Sequence, residues 1–396
     1  MHLLTKASLV KIFKAFPYDK SFTSTRFKKV QRESFVFDSI QLFFLCLSPS
    51  YNARDPVALM AERYYVGKAH WGAILREWME KYAILAPQRE KGGLFFQPVT
   101  NENISSIIYD EARAAQPLRS FLLPPIEEVV GKELKVEKPW LFLGVKACGL
   151  VALPILDQAF GGDFADPMYQ KRREESVIVS SDCTQPWETC FCTLVEGQPF
   201  PSKGFDLNLS KVWDGFVIEV GSLKGKDLLE GHDQAFKEVV KEEAVALEKM
   251  RKEVKRKVEK QNQEFKFAKS HKDVVSKSWE SEVWKKHSET CVECGACNHA
   301  CPTCHCYFLD DVTRKEFVKL RGWDSCMYSG YAVTAGGGTP RPRLYERFRN
   351  RYFCKFKYLD ENYGMIGCTG CGRCIEGCQG RIDMRLVLKD LAPNGR

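Results

Sequence analysis

The sequence predicts an α+β protein, and three observations predict it. Two cysteine quartets near the C-terminal end, Cys291, Cys294, Cys297, Cys301 and Cys368, Cys371, Cys374, Cys378, both read C-x2-C-x2-C-x3-C, the spacing of a ferredoxin-like dicluster domain. Short apolar runs alternating with amphipathic helical patterns fill residues 60–230. Between these regions a charged stretch keeps its apolar residues at steps of three or four, the period of one long helix. The expected organisation is an extension over residues 1–59, an α+β domain over 60–230, a helical linker over 231–285 and a dicluster domain over 286–396 with a long insertion between its quartets.

Residues 1–59 carry nine Lys or Arg against four Asp or Glu, so they hold +5 of the net +8. They read as a peripheral extension, with Met60 as an alternative start. From Ala61 the pattern becomes regular. A helix is expected around Trp71 to Tyr82 with Ile74, Leu75 and Trp78 on one face, then strands at Ala83 to Ala86 and Gly93 to Phe96. Apolar runs predict buried strands at Trp140 to Ala147, Ser176 to Ser180 and Phe216 to Val220, with a helix over Leu150 to Phe160. Phe236, Val240, Ala244, Leu247, Met250, Val254 and Val258 predict a solvated helix from His232 to about Ser270, linking the two halves. The dense polar cluster Asp166, Tyr169, Arg172, Arg173 and Glu174 is expected to form ion pairs bracing the loop near Cys148.

Seventeen cysteines in a chain that is 44% apolar fit metal binding in a reducing compartment better than a disulfide framework. No secretory signal pattern is visible, and the longest apolar stretch, Ile40 to Leu47, is too short to span a bilayer. The expectation is a cytoplasmic protein without a membrane span. A modest net charge spread along the chain argues against nucleic acid as partner.

Thiolates are the soft ligands that hold iron, and evenly spaced short turns bring three of them to one cube while the fourth crosses to the other. That rule assigns Cys291, Cys294, Cys297 and Cys378 to one [4Fe–4S] cluster and Cys368, Cys371, Cys374 and Cys301 to a second. Structural zinc uses pairs of C-x2-C and has no need of evenly spaced triplets. The roughly 65-residue insertion is expected to fold as its own excursion over the clusters. Upstream, two predicted strand ends deliver Cys148, Cys183, Cys190 and Cys192, a candidate ligand set for a third cubane. Cys304, Cys306, Cys326, Cys354 and His305 are expected to pack. Arg341, Arg343, Arg347, Arg349, Arg351, Lys355 and Lys357 form a basic belt, read as a complement to cluster charge or a dock for an acidic partner. The Gly336-Gly337-Gly338 run reads as a flexible turn. No dinucleotide fingerprint or P-loop is present. Clusters without a substrate site suggest a conductor of electrons; the alternative is a redox-responsive binding or regulatory protein.

Several segments resemble the iron-sulfur beta subunit of soluble nickel-iron hydrogenases (sulfhydrogenases) and the similar iron-sulfur subunit of anaerobic sulfite reductase. They are Cys291-Val292-Glu293-Cys294-Gly295-Ala296-Cys297, Cys-Pro-Thr-Cys-His-Cys at 301–306, Trp323-Asp324-Ser325-Cys326, Ala335-Gly336-Gly337 and Gly370-Cys371-Gly372-Arg373-Cys374. Gly144-Val145-Lys146-Ala147-Cys148, Asp166 to Glu174 and Cys190-Phe191-Cys192 resemble it upstream. The resemblance runs from about Trp71 to the C-terminus. It implies an electron-transfer subunit linking a flavin-containing NAD(P)H-type subunit to a catalytic metal subunit. Two departures stand out: residues 1–59 are extra, and Gly149 follows Cys148 where an acidic residue is common.

Overall fold

Eleven strands are described, and eight of them form one mixed sheet. They are β1 (Arg63–Gly67), β2 (Ala83–Glu90), β3 (Gly93–Pro98), β4 (Ile126–Glu128), β5 (Trp140–Val145), β6 (Val177–Ser181), β7 (Leu207–Val212), β8 (Gly215–Val220), β9 (Lys237–Glu238), β10 (Tyr307–Thr313) and β11 (Phe317–Trp323). The large sheet has the order β3-β2-β5-β6-β7-β8-β1-β9, and β10-β11-β4 form a second, antiparallel sheet. The computed structural model describes residues 62–392 except 91, 131–136, 163–164 and 314–316; the expected extension over 1–59 and the alternative start at Met60 lie outside the described residues. The described residues belong to one compact unit, and their mixture of helix and strand is α+β.

Period-two alternation divides the central strands between two apolar layers. Leu141 and Leu143 of β5 and Val177 and Val179 of β6 join one core with Trp71, Ile74, Leu75 and Trp78 of helix α1 (Lys68–Lys81). Phe142, Val145 and Ile178 face the other, with Leu153, Leu156 and Phe160 of helix α2 (Leu153–Phe160). A helical turn, Ala147–Leu150, precedes α2, so the expected helix starts three residues late. Strands β2, β5, β6 and β7 are parallel, which places the C-terminal ends of β5 and β6 side by side. The β5–β6 register shifts between Leu143 and Val145. At the intervening Gly144, with φ +80°, a Cβ would stand 2.9 Å from Pro87, so the bulge needs glycine.

The linking helix departs from the expectation. Helix α3 (Lys241–Gln261) begins nine residues after His232, because Lys237 and Glu238 pair with β1 as an edge strand and Val240 serves as N-cap. It is docked rather than solvated. Leu247 packs on Val212 and Val217, and Arg251 donates to Asp182 at 2.7 Å and ion-pairs with Glu219. Shorter helices, His271–Ser276 and Val283–Ser288, then lead to the first quartet.

The insertion is not an independent excursion. Its hairpin β10–β11 recruits β4 from the N-terminal half. The polar cluster at 166–174 is divided: Arg172 and Arg321 both bind Glu127 and Arg321 also binds Asp166 at this junction, whereas Tyr169 donates to Asp157 of α2 at 2.6 Å and Arg173 pairs with it at 3.2 Å. Asp166 caps its helix by accepting from the Tyr169 N–H at 2.8 Å.

Candidate metal centres

The thiols of the two quartets line two small cavities. Cys291, Cys294, Cys297 and Cys378 surround one of about 30 Å³, with Arg351, Met327 and Phe348 in its wall. Cys301, Cys368, Cys371 and Cys374 surround another of about 20 Å³, walled by Arg351, Lys355, Phe191 and Met384. The local chain geometry explains the convergence. Gly295 (φ +70°) and Gly372 (φ +74°) open the short helices Ala296–His299 and Arg373–Glu376, which lie against each other. Each helix carries the third cysteine of its own run, and each run's fourth cysteine lines the other run's cavity.

The upstream thiols gather where the parallel strands end. Cys148 follows β5 by three residues and Cys183 follows β6 by two; the loop after β6 returns Cys190 and Cys192. Each of Cys190 and Cys192 lies within electrostatic reach of both Cys148 and Cys183. Cys148 and Cys192 line an open depression of about 330 Å³ that also contains Cys368 of the second quartet. The two groups abut. The Phe191 N–H donates to the Gly370 carbonyl at 2.7 Å, and a Cβ on Gly370 would stand 2.4 Å from the Cα of Cys192.

Burial pushes most of these thiols above their ordinary range: Cys183 and Cys374 to about 12, Cys297 to about 11, and Cys148, Cys190, Cys192 and Cys368 in the same direction, whereas the contact with Cys304 and the nearby Lys355 draw Cys301 well below it. Without metal those raised thiols hold their protons at neutral pH, so loading thiolate-bound metal there would expel protons. Against that burial stand cations to which the sequence reading gave no charge-balancing role. Arg113 donates to the Cys371 carbonyl at 2.7 Å and pairs with Glu376 at 2.7 Å, between the second quartet and Cys190. Arg373 donates to the carbonyls of Ala114 and Ala115, leaves Nη1 without a partner, and acts on the Cys148 thiol. Lys146, fully buried, donates to Tyr109 O, Ser181 Oγ and Asp182 O beside Cys183. No local pattern marks Arg113, which tertiary contacts alone bring to the thiols; Lys146 stands in the family-like segment 144–148, but only the fold sets it beside Cys183.

Much of the basic belt turns inward. Arg347 is buried and pairs with Glu293 at 2.7 Å, Arg349 stacks on Trp279 at 3.6 Å, and Arg351 and Lys355 are buried among thiols. Phe348 and Tyr352 on the same segment are buried too. Arg351 faces Cys297 and Cys374, between the two cavities, with its Nε unpartnered. An all-thiol donor set lined by orphaned cationic N–H groups suits an anionic sulfur-rich group. Among the described residues no group of three or more His, Cys, Asp or Glu is placed to hold a metal ion.

The chain's likeness to known proteins agrees with this chemistry. Residues 290–382 match the family model of a 4Fe-4S dicluster domain. Over 319 residues the chain is 32% identical to sulfhydrogenase 2 subunit beta of Pyrococcus furiosus, an alignment covering 78% of this chain and 92% of that protein. No helix of the described residues is long and apolar enough to cross a membrane. The thiol quartets, the dicluster match and the near full-length likeness lead to one conclusion: the chain belongs to the family of sulfhydrogenase beta subunits.

Proposed function

We propose that the chain relays electrons between a flavin-containing, NAD(P)H-type partner subunit on one side and the catalytic metal subunit of a hydrogenase- or sulfite-reductase-like complex on the other, in the cytoplasm. The observation that carries the reading is contiguity. Cys148 and Cys192 share a depression with Cys368 of the second quartet, Cys190 Sγ lies 3.9 Å from the Cys371 carbonyl, Cys183 stands beside Cys148, and the second quartet shares Arg351 with the first. Bound to these three groups of thiols, [4Fe–4S] clusters supply one-electron redox centres, which is what a conductor between two-electron partners requires. In this reading Cys291, Cys294, Cys297 and Cys378 hold one cluster, Cys301, Cys368, Cys371 and Cys374 a second, and Cys148, Cys183, Cys190 and Cys192 a third.

The protein's own side chains bind, insulate and charge-balance these groups. Phe191, Phe348 and Met384 keep water from the sulfurs, Gly370 and Gly372 let the loops approach, and Arg113, Arg351 and Arg373 offset negative charge. The open depression at Cys148 and Cys192 gives that end a face toward solvent, suited to exchange with a partner. The test is an EPR-monitored dithionite titration of anaerobically purified protein. Rapid, reversible reduction with spin-coupled signals, abolished at the upstream centre by Cys183→Ala/Cys192→Ala, is expected. Slow or irreversible reduction accompanied by salt-sensitive nucleic-acid binding favours a regulatory protein instead.

A further inference from the structure

The insertion between the quartets gathers four more thiols. Cys304 and Cys306 leave the first quartet in the turn before β10, Cys326 follows the end of β11, and Cys354 opens a π-helical turn, Cys354–Tyr358, after the helix Leu344–Phe353. Such π turns are frequent at functional sites. The Asp324 N–H donates to the Cys306 carbonyl at 3.0 Å, holding the Cys306 and Cys326 segments together. Tyr331 places its hydroxyl 3.6 Å from Cys306 Sγ and within reach of Cys326 and Cys354. Cys354 neighbours Cys306 and Cys326, and Cys304 stands between Cys301 of the second cavity, which it contacts, and Cys306. Asn298 Nδ2 donates to Cys326 Sγ at 3.2 Å, the kind of N–H to sulfur bond that tunes thiolate-bound iron.

Two buried cations close the site. Lys355, 2% exposed, donates to Thr303 Oγ1 at 2.8 Å and faces Cys301, Cys304 and Cys354. Arg119, also 2% exposed, lies 3.6 Å over the Trp323 ring and donates to the carbonyls of Cys304 at 2.7 Å and His299 at 2.8 Å. Neither meets a carboxylate among the described residues, and a buried cation without counter-charge is strongly destabilising. Lys355 finds counter-charge in Cys301 of the second cavity, whose thiol is drawn well below its ordinary range by the contact with Cys304 and by Lys355; Arg119, whose charge burial disfavours, faces the sulfurs of Cys304, Cys301 and Cys306.

The geometry points to a fourth metal centre, formed by Cys304, Cys306, Cys326 and Cys354, that takes an iron–sulfur cluster. A polynuclear core is the class that fits. An all-thiol donor set with an N–H to sulfur bond at Cys326 is the donor chemistry of an iron–sulfur cluster. The site uses none of the twelve cysteines of the proposed relay, so it stands or fails separately from that reading.

The test counts iron and acid-labile sulfide in the full chain, assembled and purified anaerobically, beside Cys326→Ala/Cys354→Ala and Cys183→Ala/Cys192→Ala. The first variant is expected to lose about four irons and about four sulfides per chain relative to the parent. Equal iron in parent and variant overturns the proposal. Where the first variant fails to fold, the second decides: with the upstream quartet broken, about twelve irons per chain support the fourth centre and about eight overturn it. Iron lost from the second variant alone reports on the upstream quartet, so failure of one reading is told apart from failure of the other.

Discussion

Arg351 shows how a single side chain serves two sites. Its guanidinium is buried between Cys297 and Cys374, where burial disfavours its charge and the thiols on either side more than restore it. A fixed positive charge there stabilises the reduced, more negative state of whatever the thiols hold. Arg351→Met is therefore expected to lower the reduction potentials of the two C-terminal centres by on the order of tens of millivolts, read by EPR titration, with iron content unchanged. A purely structural residue would alter iron content or melting temperature and leave the potentials alone. The basic run at 341–357 was visible in the sequence, but its direction was not: a run of Arg and Lys reads equally as a surface or as an inward lining. Packing decides, since Phe348, Tyr352 and Phe356 on the same helical segment are buried and carry Arg351 and Lys355 in with them.

At the scale of elements, the spacer glycines of the second quartet determine how closely the two halves approach. Gly372 has φ +74°, and a Cβ there would fall 2.3 Å from the Thr189 carbonyl oxygen. Strain and overlap act together, so Gly372→Ala is expected to cost at least about 2 kcal/mol and to loosen the 189–192 loop. Thermal unfolding checks the first effect. The second appears as iron loss from the upstream and second centres while the first quartet's signal persists. The long helix teaches a related lesson. Its period was plain in the sequence, but the start and docking were not, because Arg251 on the helix answers Asp182, just past the end of β6, and Glu219 of β8.

At the scale of the molecule, the halves interlock in two places. Strand β4 completes the sheet of the insertion hairpin, and the loop of Cys190 and Cys192 seats on Gly370. Metal loading is therefore coupled to the whole compact unit. Removing iron with an anaerobic chelator is expected to lower the midpoint of the entire unfolding transition, with near-UV and far-UV circular dichroism falling together. An early near-UV loss with the β-sheet signal retained would show that the dicluster half melts alone.

The sequence by itself determined the fold class, the central strands and the dicluster quartets, because periodicity and cysteine spacing are local properties written within short windows. It also placed Cys148, Cys183, Cys190 and Cys192 at strand ends, since buried apolar runs end visibly. Only the tertiary structure set those ends side by side through parallel pairing of β5 and β6. It alone joined β4 to the insertion, turned much of the basic belt inward, and brought Cys306, Cys326 and Cys354 near one tyrosine. These are contacts between residues far apart in the chain, fixed by packing and by the need of buried charge for a partner, and no local pattern encodes them.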